Sequence, residues 1–139
     1  MTIKILLAIA LAWTSFLPFN QENGKNLEGT WVIEAAELGG QKLDALKGAR
    51  LTMAEGKYEF QNDKGDYKLS VAEKLNALDI IGKEGPNQGK TILTIYQLDG
   101  DSLKICYDLT GKARPTEFKT EAGSRLFLVS YRRENKKAN

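Results

Sequence analysis

The chain contains no histidine and a single cysteine, Cys106, and those two facts bound its chemistry before any spacing is considered. Without imidazole there is no Ser-His or Cys-His dyad, no usual general base, and no commonest transition-metal ligand. Carboxylate or lysine chemistry remains, and three stretches have the composition for it. Gly85-Pro86-Asn87-Gln88-Gly89-Lys90-Thr91 has the residues of a phosphate loop. Its spacing is one residue short, and a strand-like run follows where a helix is required. Asn62-Asp63-Lys64-Gly65-Asp66 and Asp99-Gly100-Asp101 gather acids, but the first lacks the later ligands and distal Glu of a calcium loop. Asp and Gly are also what turns ask for, and at strand tips the acids face no cleft that a glycosidase pair would need. Neither a metal site nor a cofactor is expected, and the reading is non-enzymatic.

Binding remains as a use for the side chains. Trp31, Tyr58, Phe60, Tyr67, Tyr96 and Tyr107 all fall on the face assigned inward. Tyr58, Tyr67, Tyr96 and Tyr107 are the ligand-lining candidates, because a buried hydroxyl needs a partner that a ligand or water could supply. The competing reading is a core filled by the same rings, each burying on the order of 150–250 Å². Arg114 lies in a long loop with Lys112 and Glu117. It is either an anion contact at a barrel rim or one half of an ion pair, such as Arg114–Glu117, that pins the loop. Cys106 reads as a small apolar strand residue.

The elements that must position these residues are strands. In Thr91–Tyr107 two β-prone runs flank Asp99-Gly100, a preferred type I′ pair. That turn sets Leu98 opposite Asp101, Tyr96 opposite Leu103, Thr94 opposite Ile105 and Ile92 opposite Tyr107, with the hydrophobic side chains on one face. A second hairpin turns at Glu55-Gly56 and places Met53 opposite Tyr58 and Leu51 opposite Phe60. Gly29-Thr30-Trp31 opens a first strand running to about Leu38, with Trp31, Ile33 and Ala35 on one side. Leu43 and Leu46 suit one helical turn in Gln41–Lys47. Asn62–Gly65 reads as a turn, then strands at Asp66–Val71, Ala77–Ile81 and Arg125–Arg132 follow, with a loop over one end at Asp108–Ser124. The last strand is apolar on both faces and should be covered on both. About eight strands joined by short turns predict an all-β, antiparallel up-and-down barrel, which removes both sheet edges. An open sandwich is the alternative.

Gly29-Thr30-Trp31, the run from Gly89 through Tyr107, and Arg114-Pro115-Thr116-Glu117-Phe118 together resemble a family of small lipocalin-like domains abundant in exported planctomycete proteins. The likeness covers about Leu27 to Arg133 and implies a lipocalin-type barrel without assigned catalytic residues. It also implies that a basic side chain of the last strand, Arg132 or Arg133, caps Trp31 and closes the barrel. The lipocalins' second signature, Thr-Asp with a nearby tyrosine, is missing.

Length and charge fit this picture. The 139 residues suit one domain, and a net charge of +2 gives no case for nucleic-acid binding. Residues 1–19, with Lys4 ahead of a short apolar run and Pro18 behind it, read as an export signal. The run is too short to span a membrane, so an uncleaved anchor is the lesser reading. A flexible lead-in (20–26), the barrel (27–133) and a charged tail (134–139) follow. The expected product is an exported domain that binds a small apolar or amphipathic molecule, or else a filled-core structural or protein-interaction domain.

Overall fold

Strands that alternate and turn every few residues leave two edges unless the first pairs with the last, and here it does. The computed structural model describes residues 24–135. The expected export signal, the first part of the lead-in and the end of the tail lie outside them. The strands are β1 (Gly29–Leu38), β2 (Gln41–Lys42), β3 (Arg50–Ala54), β4 (Lys57–Phe60), β5 (Asp63–Ala72), β6 (Leu75–Glu84), β7 (Thr91–Asp99), β8 (Ser102–Asp108) and β9 (Leu126–Arg133). β1 pairs with β3 on one side and β9 on the other, so eight antiparallel strands close into an up-and-down barrel. β2 is an extra two-residue strand against the end of β1. Among the described residues, helix is limited to the 3₁₀ turns Lys25–Leu27 and Asp44–Leu46, the second falling within the expected helical turn.

The β3–β4 hairpin has the expected register, with Met53 opposite Tyr58. The β7–β8 hairpin does not. Its turn is Gly100-Asp101, so Tyr96 faces Ile105 and Thr94 faces Tyr107. Gly100 has φ 59° at the first central position, the requirement of a II′ turn. Because the correction shifts each partner by two, every side chain keeps its face.

Two other boundaries differ for a shared reason. β5 begins at Asp63 and β6 spans Leu75–Glu84, each joined to its neighbour by two-residue turns at Gln61-Asn62 and Glu73-Lys74. Gln61 and Glu73 adopt left-handed backbone, at φ 54° and 56°, a conformation for which neither residue type is a signal. β1 carries a bulge between Ile33 and Ala35. The extra residue reverses the alternation, so Ala36 is buried and Ala35, expected inside, is exposed.

The core lies inside the barrel, with Trp31, Ile33, Met53, Leu78, Leu103 and Ile105 among its most buried members. Beyond Tyr67 the β5 face opens, leaving Leu69 and Val71 exposed. A second apolar layer lies outside the barrel. Ala77, Ile95 and Cys106 have no exposed surface, yet they form one rung with Leu128 on the outer side of β6–β9. The 109–125 segment covers Ala77, Ile95 and Cys106; it lies across this outer face rather than over an end, and the outward Leu126 and Leu128 of β9, expected to be covered, are only half-buried. Pro115 is buried within the segment, and the Cys106 thiol points at the Lys119 carbonyl, 3.8 Å away.

Candidate functional site

One end of the barrel is shut. Trp31 is fully buried and its Nε1–H donates to the Leu27 carbonyl at 2.9 Å. The Arg133 guanidinium lies 4.3 Å from the centre of the Trp31 ring. It donates to the carbonyls of Glu28 and Asn26, both at 2.7 Å, fastening the entering chain across this end. Arg132, the other candidate cap, points away and pairs with Glu34 at 2.6 Å.

Toward the opposite end the packing is incomplete. A cavity of about 260 Å³ lies between β1, β3, β4 and the strands across the barrel, walled by Ile33, Leu51, Ile80, Ile92 and Phe127 among others. Four polar groups from Tyr58, Asp63, Tyr107 and Tyr131 join this apolar wall, with the amide of Asn87 behind them. Asp63 opens β5 at the cavity edge and is only 8% exposed. Its Oδ2 accepts from Tyr58 Oη at 3.2 Å and from Asn87 Nδ2 at 2.7 Å, while Oδ1 accepts from the Asn87 backbone N–H at 3.3 Å. Gly82 makes this possible, because a Cβ there would collide with the Asn87 carbonyl. Across the cavity, the Tyr107 and Tyr131 hydroxyls share a 2.6 Å hydrogen bond. Burial pushes both phenols up, and burial together with the Asp63 charge does the same to Tyr58. All three therefore present neutral hydroxyls near neutral pH.

Comparison with family models, curated proteins and solved structures finds no match for this chain. What the site can do therefore rests on its geometry.

Of the four tyrosines expected to line a pocket, Tyr58 and Tyr107 do so. Tyr67 and Tyr96 are buried toward the shut end. The Tyr67 backbone N–H donates to the Gly56 carbonyl at 2.8 Å, and Tyr96 pairs with Asn76 and Ile105. Sharing a face was enough to place them inside but not at the same depth. Arg114 is not a free anion contact at the rim. Its Nη2 pairs with Asp79 at 2.5 Å, and Nη1 donates to the carbonyls of Leu78 and Thr94. It pins the 109–125 segment to the β6–β7 seam, with Asp79 where Glu117 was the expected partner; Glu117 pairs with Lys119 instead.

Sequence reasoning missed Asp63, Asn87 and Tyr131 as cavity residues. The first two sit in stretches whose composition suggests other chemistry, the acid-rich turn and the broken phosphate loop. The fold joins those stretches to each other. Their composition was a signal of closely approaching turns rather than of metal or phosphate. Tyr131 was visible only as an apolar face of β9.

Chemically, the arrangement offers enclosure, three hydroxyls and one carboxylate. Among the described residues no group of three His, Cys, Asp or Glu side chains is placed to hold a metal ion. No helix there is long and apolar enough to cross a membrane.

Proposed function

We propose that this lipocalin-like barrel is a non-enzymatic binding module that takes one small, largely apolar molecule into the cavity opposite Trp31. The observation that carries the reading is the cavity itself, about 260 Å³ of space inside a barrel whose other end is closed by Trp31 and Arg133. Filling a cavity of that size gains dispersion contacts, and a cavity of about 150 Å³ already accepts a benzene ring. A ligand with an apolar body and a polar end would make those contacts and meet the tyrosine hydroxyls. The buried thiol, with its pKa pushed up to about 11 by desolvation, and the lack of histidine support binding over catalysis.

The experiment is native mass spectrometry on the protein purified from its own host, with and without denaturant. A small molecule that stays bound under native conditions and is released on unfolding is the expected result. Leu109→Trp, which puts an indole into the cavity from its lining, should abolish the adduct. If protein from the host carries nothing and Leu109→Trp is simply more stable, the filled-core interaction domain becomes the better reading. We also propose that the domain acts after export, on the strength of Lys4 and the apolar run behind it. N-terminal sequencing of exported material that begins at Met1 or Thr2 would overturn this.

A further inference from the structure

Resting on the reading of the cavity as a binding site, we infer that its ligand class is a small organic cation, an amine on an apolar body about the size of one substituted ring. Charge, acceptor geometry and wall chemistry converge on this.

Among the described residues, Asp63 is the one charged side chain in the cavity wall. Among the described residues no Lys or Arg nitrogen pairs with it; the neighbouring Lys57 and Lys64 are taken by Asp66 and Glu59. The carboxylate is held by neutral donors only, from Tyr58 and Asn87. A carboxylate has about four acceptor positions, and three are filled. The remaining one is on Oδ1, whose partner among the described residues is the long 3.3 Å bond from the Asn87 amide. A cationic N–H donor from a ligand would complete that set with a charge-assisted bond. An anionic ligand would meet a fixed like charge at low dielectric with no counter-cation in the wall, which disfavours the fatty acids that an apolar cup otherwise suggests.

The rest of the wall agrees. Tyr58, Phe60, Tyr107, Phe127 and Tyr131 supply five aromatic rings, the setting in which cation–π attraction to an ammonium accumulates. The Tyr107–Tyr131 pair shares one hydroxyl proton between its oxygens, so a second proton stays available to an acceptor on the ligand body. The volume sets the size, since about 260 Å³ is less than twice the space that admits benzene.

The test uses the full chain at neutral pH and three near-isosteric probes: phenethylamine, phenethyl alcohol and phenylacetate. Isothermal titration calorimetry should show the amine binding about tenfold or more tightly than phenylacetate, the factor expected of one hydrogen bond to a charged group. Asp63→Asn should bring the amine down to the affinity that the alcohol shows for the same variant. In the wild-type protein the Asn87 side-chain amide signals should move with the amine and stay in place with the alcohol, a readout independent of whether the variant folds. Phenylacetate binding as well as the amine, or an amine preference that survives Asp63→Asn, overturns the cation assignment while the alcohol's binding leaves the cavity reading standing. If none of the three binds the wild-type protein, and benzene does not either, the cavity reading falls and the cation assignment with it.

Discussion

Trp31 and Asp108 show what single side chains do in this barrel. Trp31 joins β1 to the entering chain through its indole N–H and to β9 through the Arg133 guanidinium. Trp31→Ala should cost about 3–5 kcal/mol as a large-to-small core change, and a variant melting within a degree or two of wild type would contradict the assignment. The paired arginines give a sharper comparison: Arg133→Ala should lower Tm clearly, whereas Arg132→Ala, whose exposed guanidinium pairs with the exposed Glu34, should leave it unchanged. Asp108 works through hydrogen bonds. Burial alone would raise its carboxyl. The Thr110 hydroxyl and the amides of Ala113, Thr110 and Lys112 overbalance burial and hold it below the usual carboxylate range. A carboxylate with a depressed folded-state pKa adds stability above its unfolded value and loses it as pH falls through the folded one. Urea unfolding should therefore show a stability loss below about pH 4 that is shallower in Asp108→Asn. Equal acid slopes in the two proteins would remove Asp108 from the account.

At the scale of elements, the 109–125 segment behaves as a second skin on the β6–β9 wall. It is fixed at its start by Asp108, in the middle by Arg114 on Asp79, and at its end by Thr120, which donates to Glu37 at 2.5 Å and accepts from the Gly40 N–H. Cys106 lies beneath it and reports on it. A buried thiol with a pKa of about 11 should resist a disulfide reagent at pH 8 in the folded protein and react at once in urea. Arg114→Ala, which releases the middle anchor, should give intermediate rates; wild-type protein that reacts at the speed of a free thiol would show that the segment does not cover it. These elements also mark what the sequence could reveal. Alternation identified the inward faces of β3, β4, β7 and β8, because burial writes a period of two into each strand. Barrel closure was legible from the count of strands and the need to remove edges. The bulge in β1, the left-handed Gln61 and Glu73, and the one-residue move of the β7–β8 turn were not, since each is decided by neighbours across the sheet. The cavity was half legible: the rings were visible, but their depth along the barrel depends on registers summed over several strands.

For the whole molecule, burial on one or two sides should set the order of local opening. β7 and β8 have the core on one face and the covered Ile95–Cys106 rung on the other. The β5–β6 tip carries the exposed Leu69 and Val71. Hydrogen exchange should accordingly be slowest in β7 and β8 and fastest in β2 and near Glu73-Lys74. Protection that is uniform around the barrel would mean that the outer layer adds no local stability.

The seam between β1 and β9 has a consequence in time as well as in space. Trp31 and Arg133 face each other there across roughly a hundred residues of chain, and contacts that distant form late and slowly. During synthesis every hairpin from β3 to β8 can assemble while β1 and β8 still present open edges, each a template for pairing with another chain. Only the arrival of β9 covers both, and it brings the Arg133 clasp with it. A polypeptide cut short before this strand would lack more than one element: it would be a sticky, open sheet. Completion of the chain is thus what removes the last open edges of the sheet.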